Sequence, residues 1–317
     1  MATVLVTGGT GLIGGRLTEM LIEKRHQVII LTRNKKKQNK DGVLNPSYAI
    51  WNPDKEVIDT EAVQEADYII NLAGAGIADK RWTAKRKMVI AESRIKSGLL
   101  IVRALKENAN KVKAVINASA MGWYGDDSQL QKQDKSFTED MPAAPGFMGQ
   151  TCKAWEESIE PVTAIGKRLV KIRTGLVLSI KGGALKEFAR TVRFGIAAIL
   201  GNGKQMQSWI HIDDICRIYM YALENEQING AYNAVAPRPV DNKTLVVELA
   251  KRMKGSFYIT AYVPRFILKW ILGEMSSELV KSLTLNDDKI RATGFQFIFP
   301  SVESALNDLV QKIAVRR

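Results

Sequence analysis

Short apolar runs alternate with amphipathic segments through the first half of the chain. Compact β-branched or aliphatic runs predict strands over Val4–Thr7, Val28–Thr32, Tyr68–Leu72, Val115–Ala118 and Val170–Arg173. Helical spacing of apolar residues between them predicts helices over Gly11–Lys24, Thr83–Asn108 and Gly149–Gly166. Strands and helices in this order connect by right-handed crossovers. The pattern therefore predicts an α/β protein with a doubly wound parallel sheet, whose binding crevice lies at the carboxyl ends of the strands.

The regular alternation ends after Leu178. The glycines Gly182, Gly183, Gly195, Gly201 and Gly203 indicate a loop-rich insertion on the substrate side of the crevice, near residues 179–210. A helix over Asp214–Glu224 and a strand over Ala231–Ala234 are predicted to return to the main sheet. Beyond them, prolines interrupt helical segments. We therefore predict a large domain over residues 1–235 and a smaller, α-rich C-terminal domain over residues 236–317 that covers the crevice.

A glycine pattern follows the first predicted strand directly. In the run Thr7-Gly8-Gly9-Thr10-Gly11-Leu12-Ile13-Gly14, three glycines lie at intervals of three residues. Gly8 permits a tight turn, Gly11 lets the backbone approach a pyrophosphate, and Gly14 allows close packing of helix on strand. The free N–H groups at the start of the helix then face the phosphates. In this strand–turn–helix context the pattern predicts a Rossmann dinucleotide site rather than a glycine turn without a ligand.

The end of the second strand indicates which dinucleotide is bound. An NAD site places a carboxylate there for the ribose 2′-hydroxyl, whereas this chain has Leu31-Thr32-Arg33-Asn34-Lys35 and no acid. Arg33 can bind a 2′-phosphate through its guanidinium, Thr32 offers a hydroxyl, and Lys35 adds positive charge. We therefore predict NADP(H) rather than NAD(H), with a solvated basic loop as the alternative.

Ordered motifs along nearly the whole chain are similar to those of a known family. The glycine run, Asn71-Leu72-Ala73-Gly74 and Ser119–Gly125 resemble the extended short-chain dehydrogenase/reductases. Further motifs resemble their atypical "epimerase family protein" group of the YfcH type, namely Lys80-Arg81-Trp82, Glu92-Ser93-Arg94, Arg173–Leu178, Gly182–Leu185 and Ser208–Asp214. The segments Val263–Gly273 and Ala292–Phe295 resemble the C-terminal domain of unknown function of that group. The resemblance implies a protein related to NAD(P)-dependent epimerases and dehydratases.

The resemblance also implies a set of cofactor-binding residues. They are Gly8, Thr10, Gly11, Leu12 and Ile13 at the pyrophosphate, Thr32 and Arg33 at the adenosine phosphate, and Leu72, Ala73, Gly74, Arg94 and Val177 beside the ribose. For Leu72, Ala73 and Val177, plain core packing is the alternative.

The catalytic trio of the superfamily is missing at its usual positions. That trio is a Ser or Thr, a Tyr that transfers a proton, and a Lys four residues after the Tyr. Counting back from Tyr124 places Ala120 in the Ser position, and the helix that should carry the pair has Met148 and Cys152 in the Tyr and Lys positions. A shift of one residue gives Gly149 and Lys153, which restores the lysine but no tyrosine.

Other side chains are candidates for the missing roles. We predict catalytic roles for Tyr124, Ser119 and Lys153, with a packed aromatic as the alternative for Tyr124. Cys152 is expected to be a small buried apolar side chain rather than a reactive thiol. Substrate contacts are predicted for Arg81, Trp82 and His211. The alternative for His211 is a hydrogen-bonded domain junction.

Composition excludes several other classes of function. The net charge is +13, but Lys and Arg are spread along the chain without a nucleic-acid-binding motif, so no nucleic acid partner is expected. The chain has two histidines and no Cys/His cluster with ligand spacing, so no metal site is predicted. There is no Gly-x-Ser-x-Gly elbow of a hydrolase.

The cysteine content and the apolar segments bear on location. Two cysteines suit a reducing compartment, and the first strand follows Met1-Ala2-Thr3 directly, so we expect no signal peptide and a cytoplasmic protein. The apolar stretch Val263–Met275 is too short and too charged to span a bilayer. We expect an amphipathic helix there that packs on its own protein and therefore no membrane partner, with a membrane-surface helix as the alternative.

Two functions from different classes are consistent with these features. The leading hypothesis is an NADP-dependent oxidoreductase or epimerase-like enzyme that acts as a monomer or homodimer on a small polar substrate such as a nucleotide-sugar. The alternative is an NADP(H)-binding regulatory or scaffold protein with little or no turnover, which the missing Tyr–Lys pair favours.

Overall fold

The computed structural model describes residues 1–34 and 45–314. The strands are β1 (Thr3–Thr7), β2 (Gln27–Thr32), β3 (Ser47–Asn52), β4 (Val57–Ile58), β5 (Tyr68–Asn71), β6 (Ala114–Ala120), β7 (Arg168–Thr174), β8 (Leu176–Leu178), β9 (Ile196–Leu200), β10 (Met206–Gln207), β11 (Trp209–His211), β12 (Gly230–Ala234), β13 (Val240–Asp241) and β14 (Ile259–Val263). The helices are α1 (Leu12–Glu23), α2 (Thr60–Glu65), α3 (Ala84–Glu107), α4 (Phe147–Ile159), α5 (Gly183–Arg193), α6 (Ile212–Glu224), α7 (Asn242–Lys254), α8 (Arg265–Leu272), α9 (Ser276–Leu279), α10 (Asp288–Ala292) and α11 (Val302–Ala314).

Eight of these strands form one sheet in the order β12-β7-β6-β5-β1-β2-β3-β4. Every neighbouring pair is parallel except β3 and β4, which are antiparallel. Strands β2, β3 and β4 follow one another on one side of β1. The chain then returns to the other side of β1, where β5, β6, β7 and β12 follow in order. This reversal places a crevice at the carboxyl ends of β1 and β5, where open α/β sheets bind their ligands.

Helices cover both faces of the sheet because its central strands are apolar on both sides. Val4 and Val6 of β1 belong to a core cluster that includes Leu17 of α1 and Ile215 of α6. Leu5, which points to the opposite face, packs in a second cluster that includes Ile101 of α3. The predicted doubly wound α/β fold is therefore confirmed.

The structure corrects one predicted loop and one predicted helix end. The stretch after Leu178 is more regular than predicted, because Gly183, Gly195 and Gly201 border α5 and β9 instead of forming one long loop. The helix predicted to reach Gly166 ends at Ile159, and a 3₁₀ turn that contains Pro161 follows it. Proline lacks the N–H that a continuing helix needs, which explains the early end.

The inserted segment and the C-terminal part of the chain pack together. β9 and β14 form a separate two-stranded parallel sheet, and α7 packs against α5 and β9. Leu245 of α7 and Leu306 of α11 lie in the same hydrophobic cluster as Val4 of the main sheet. The predicted domain boundary after residue 235 stays a prediction. Within residues 1–34 and 45–314, no helix is both long and apolar enough to cross a membrane.

Candidate functional site

The glycine turn between β1 and α1 has no room for a side chain at Gly8 or Gly14. Gly8 has φ +65°, and a Cβ on it would lie 2.8 Å from the carbonyl oxygen of Leu72. A Cβ on Gly14 would lie only 2.2 Å from the carbonyl oxygen of Gly8. Gly11 is the N-cap residue of α1, and no side chain in the described part of the chain caps the helix. The first-turn amides of α1 are therefore available to a phosphate at the mouth of the crevice.

A buried string of polar side chains links the ends of β1 and β5 to the neighbouring strand β6 at this crevice. The hydroxyl of Thr7 donates to the Asn71 side-chain oxygen at 2.7 Å, and the Asn71 amide donates to the Asn117 side-chain oxygen at 2.7 Å. The backbone N–H groups of Leu72 and Ala73 both donate to the Thr7 hydroxyl at 3.0 Å. Because buried polar groups are costly when unpaired, these bonds hold the segment after β5 next to the glycine turn.

Arg94 of α3 lies beneath this segment. Its Nη1 donates to the carbonyl oxygens of Ala75 at 3.0 Å and Ile90 at 2.8 Å, and its guanidinium lies 5.0 Å from the ring centroid of Trp155. A Cβ on Gly74 would lie 3.0 Å from the guanidinium carbon, so the glycine permits this approach. Burial lowers the pKa of Arg94, and no carboxylate pairs with it in the part of the chain that the structure describes. A half-buried cation of this kind suits an anionic or polyhydroxylated ligand.

The end of β2 is exposed to solvent. The Thr32 hydroxyl accepts a hydrogen bond from the Asn34 backbone N–H at 3.1 Å, and Arg33 is exposed. Among residues 1–34 and 45–314, no acid forms an ion pair with Arg33. Lys35, predicted to add charge here, lies outside the described residues.

The remaining predicted cofactor residues lie around the start of α1. Thr10 is exposed, and Ile13 packs against the main core cluster. The Leu12 side chain approaches Gly182, where a Cβ would lie 3.3 Å from the Leu12 Cδ1 atom. Val177 lies on β8 and also packs against the main core cluster. Their cofactor contacts stay predictions.

The structure joins Ser119 and Tyr124 in one buried polar network. The Ser119 hydroxyl donates to Glu156 Oε1 at 2.6 Å, and Arg173 donates to both Glu156 oxygens at 2.9 and 3.1 Å. Arg173 Nη1 also donates to the Tyr124 hydroxyl at 2.9 Å, and that hydroxyl donates to the Asn233 side-chain oxygen at 2.7 Å. The network thus connects α4 with the carboxyl ends of β6, β7 and β12.

Tyr124 is enclosed by this network. Its side chain is fully buried and stacks on Phe137, and burial raises the pKa of its hydroxyl to about 12. These contacts are the ones expected if Tyr124 is a packed aromatic residue whose hydroxyl is hydrogen-bonded to its neighbours, the alternative to a catalytic role. The catalytic roles of Tyr124 and Ser119 stay predictions.

Lys153 does not join this group. It is half exposed on α4 and forms an ion pair with Glu157 at 3.8 Å. In the Tyr and Lys positions of the superfamily, Met148 packs in an apolar cluster with Trp82, and Cys152 is buried with its Sγ 3.8 Å from the carbonyl oxygen of Ala120. Burial raises the pKa of the Cys152 thiol to about 12, as expected for a small apolar side chain.

The predicted substrate residues Arg81 and Trp82 lie on the loop after β5. Trp82 is buried, donates from Nε1 to the Ile77 carbonyl oxygen at 2.8 Å, and contacts Phe147 edge-to-face. Arg81 is exposed, and its Nε would lie 2.6 Å from a Cβ on Gly273, at the end of α8. The segment that follows α8 therefore lies against this loop, but substrate contacts of either residue stay predictions.

His211 lies where β11 meets α6 and is fully buried. Its Nδ1 accepts from the Asp213 backbone N–H at 3.0 Å as the N-cap of α6. Nε2 therefore carries the proton and donates to Asp308 Oδ2 on α11 at 3.1 Å, and the ring packs on Phe299. These are the contacts of a hydrogen-bonded junction, and the substrate role stays a prediction. His211, Asp213 and Asp308 are also close enough to share a cation, but Lys312 already pairs with both carboxylates.

The junction makes stability depend on pH. Burial lowers the pKa of His211 below its ordinary 6.5, so the unfolded chain takes up a proton that the folded chain does not. The contribution of the neutral His211 ring to the free energy of unfolding is fully present above about pH 6.5. This contribution is lost as the pH falls below that value. We expect the stability difference between the wild type and His211→Asn, measured by urea unfolding, to shrink from about pH 7.5 to about pH 5.5. Asparagine keeps the N-cap acceptor, so an equal difference at both pH values would contradict this assignment.

Sequence reasoning missed Glu156, Arg173 and Asn233 as members of one network. Each lies within or beside a motif or strand that was recognised, but their partners are distant in sequence. A charged or amide side chain inside an apolar run indicates a buried polar network, since such groups are rarely buried without partners. This was the signal in the sequence that could have identified these three residues.

Comparison with known proteins agrees with the fold and the glycine turn. The NAD dependent epimerase/dehydratase family matches residues 4–159, and a domain of unknown function (DUF1731) matches residues 263–309. The epimerase family protein YfhF of Bacillus subtilis (strain 168) is 35% identical over 308 residues, which cover 97% of each chain. The epimerase family protein SAR0825 of Staphylococcus aureus (strain MRSA252) is 33% identical over 313 residues, which cover 98% of this chain and 100% of the relative.

A solved structure extends the comparison to three dimensions. The crystal structure of human epimerase family protein SDR39U1 (isoform 2) with NADPH superposes with a TM-score of 0.85 at 25% identity, covering 98% of this chain and 99% of the other. The fold and the glycine turn define an atypical extended short-chain dehydrogenase/reductase. Within that class, the chain belongs to the epimerase family proteins that carry the C-terminal domain of unknown function.

Proposed function

We propose that this chain binds NADP(H) in the crevice between β1 and β5. The observation that carries the proposal is Arg33 at the end of β2, which is exposed and has no ion-pair partner among the described residues, on the strand next to the start of α1. A guanidinium at this position suits a 2′-phosphate, and an NAD site would need a carboxylate there. The human relative of known structure was solved with NADPH, which supports the same choice.

The residues present fit the cofactor. The first-turn amides of α1 would hold the pyrophosphate, Thr32 and Arg33 would hold the 2′-phosphate, and Arg94 with the segment after β5 would line the ribose side. Arg94 fits this role because it is half-buried without a carboxylate partner among the described residues. When bound, the cofactor supplies a hydride donor or acceptor.

Reversing the charge at Arg33 tests the choice of cofactor. We expect Arg33→Asp to weaken NADPH binding by about 100-fold or more, because a charge-assisted contact is lost and a repulsive one is introduced. NADH, which lacks the 2′-phosphate, should lose much less. Isothermal titration with both cofactors measures the difference, and Arg190→Asp on the exposed face of α5 is the matched charge control. Equal losses for NADPH and NADH would rule out the 2′-phosphate contact.

The use of the bound cofactor is a separate proposal. The buried network around Tyr124 and the surface position of Lys153 favour an NADP(H)-binding regulatory or scaffold protein, since no described side chain stands ready at the usual proton-transfer position. A different observation supports an oxidoreductase or epimerase-like enzyme. Arg81 is exposed without an ion-pair partner in the described chain, and a guanidinium there suits the phosphates of a nucleotide-sugar.

Cofactor oxidation separates these two functions. The protein is loaded with NADPH, and the cofactor fluorescence is followed against a panel of carbonyl compounds and nucleotide-sugars. Fluorescence that is unchanged across the panel supports the regulatory function, whereas turnover supports the enzyme. If turnover is found, Tyr124→Phe decides whether this hydroxyl takes part, provided that NADPH affinity and the melting temperature are measured beside it.

We further propose a cytoplasmic location. Both cysteines, Cys152 and Cys216, are free and buried, which suits a reducing compartment. Fractionation of cells that produce the protein at its natural level tests this location.

A further inference from the structure

The sheet formed by β9 and β14 presents an apolar outer face. Ile196 and Ile259 are paired in register at one end of this sheet, and both are exposed, Ile259 by 68%. Phe194 and Phe257 flank the same end, with 81% and 84% of their surface exposed. Large apolar groups exposed together indicate an interaction surface, because each costs free energy in water.

The helix that follows β14 adds aromatic residues to this part of the chain. Leu268 of α8 is buried, whereas Phe266 and Trp270 are 72% and 79% exposed. They are four residues apart and therefore lie on one face of the helix, next to exposed Arg265 and Lys269. The helix thus packs on its own protein through one face only, and its outer face combines aromatic rings with cations.

The charges of these segments all have one sign. Residues 188–212 and 249–273 contain no Asp or Glu. Their basic residues without an ion pair in the described part of the chain are Arg193, Lys204, Lys254, Arg265 and Lys269. The acids that border these segments in sequence already have partners, since Glu187 pairs with Arg190, Asp213 with Arg16 and Lys312, Glu248 with Lys251 and Arg252, and Glu274 with Lys87.

We propose that the outer face of α8, which exposes Phe266 and Trp270 beside Arg265 and Lys269, docks the protein on an anionic lipid bilayer. Aromatic side chains insert at the level of the headgroups, and Lys and Arg bind anionic lipids around them. A second copy of the chain fits less well, because a two-fold contact would bring unpaired cations against cations. The contact is peripheral, since α8 has only eight residues.

Vesicle flotation of the full chain tests the proposal. We expect binding to phosphatidylcholine vesicles that contain phosphatidylglycerol and little binding to phosphatidylcholine alone. The variant Arg265→Glu/Lys269→Glu should bind at least about 25-fold more weakly, because each cation near the surface contributes about fivefold. The variant Phe266→Ser/Trp270→Ser should also lose binding. Lys106→Glu/Lys132→Glu and Ile298→Ser are matched controls at exposed positions elsewhere, and both should bind like the wild type.

Tryptophan fluorescence provides a second readout. Trp51, Trp82, Trp155 and Trp209 are buried and Trp123 is partly buried, so Trp270 is the tryptophan most exposed to solvent. Anionic vesicles should shift the emission to shorter wavelength in the wild type, and Trp270→Phe should remove most of the shift while it keeps most of the binding.

Three outcomes would overturn the proposal. The first is no binding to anionic vesicles by the wild type. The second is binding that the α8 variants leave unchanged while their melting temperatures are normal. The third is a wild-type dimer in analytical ultracentrifugation that Phe266→Ser/Trp270→Ser converts to monomer, because the surface would then be an interface between copies of the chain.

Discussion

Replacing Glu156 by alanine is expected to lower the free energy of unfolding by about 3–5 kcal/mol. The carboxylate accepts one hydrogen bond from Ser119 and two from Arg173, and all three side chains are buried. Burial alone would lower the pKa of Arg173, but its hydrogen bonds with Glu156 raise it above the ordinary value. Without the carboxylate, a buried guanidinium remains uncompensated, which is the costly way to break such a pair. The melting temperature should fall by about 4–8 °C.

The next residue on α4 is a matched control for this change. Glu157 is exposed and forms only a 3.8 Å surface ion pair with Lys153, so Glu157→Ala should change stability by less than about 0.5 kcal/mol. Denaturant unfolding and calorimetry measure both variants. If Glu156→Ala and Glu157→Ala lower the free energy of unfolding equally, the network around Glu156 does not stabilise the fold. Tyr124→Phe should fall between them, because it removes a hydroxyl and leaves the ion pair in place.

The second large effect is expected at the glycine turn. A Cβ on Gly14 would lie 2.2 Å from the carbonyl oxygen of Gly8, so Gly14→Ala must displace the turn that approaches the phosphates. We expect the loss of about two charge-assisted hydrogen bonds from the first turn of α1, each contributing about 1.5 kcal/mol. The dissociation constant for NADPH should therefore rise by about 100-fold. Fluorescence titration of NADPH measures it directly.

Gly15 provides the control for the same substitution one residue later. A Cβ there has its nearest neighbour at 3.9 Å, the carbonyl oxygen of Gly9, so Gly15→Ala fits without displacement. Alanine also favours the helix more than glycine does, by about 1 kcal/mol. Gly15→Ala should therefore keep NADPH affinity and raise the melting temperature slightly. Similar affinity in the two variants would mean that the turn does not hold the pyrophosphate.

The sequence predicts the elements whose signal is local. β1 and β2 were found within one residue of their observed ends, because central strands buried on both faces read as continuous apolar runs. Ser47–Asn52, which forms β3, was not predicted, since its polar and apolar residues mix near the edge of the sheet. The parallel pairing of β9 with β14 joins Ile196 to Ile259, and no local pattern marks a partner that distant.

The same distinction applies to the candidate site. The positive φ of Gly8 and the close contact of Gly14 with Gly8 both arise within one short segment, so the local sequence identifies the glycine turn. The network of Glu156 and Arg173 depends on contacts with Ser119, Tyr124 and Asn233, which come from separate strands and helices. The spacing of the motifs shows that Met148 and Cys152 stand at the usual Tyr and Lys positions. What surrounds these two residues depends on the fold and could not be predicted from the spacing.

The pairing of β9 with β14 has a consequence for how this protein can be recombined with its relatives. β9 precedes the last strand of the main sheet and β14 follows it, so this two-stranded sheet is formed by two separate pieces of chain. A chimera that exchanges only the residues after Ala236 would seat a foreign β14 and α7 against the native Ala197 and Ile199, which are completely buried. Exchange of residues 179–210 together with the C-terminal part would preserve that contact, so stable chimeras should require paired rather than single crossovers.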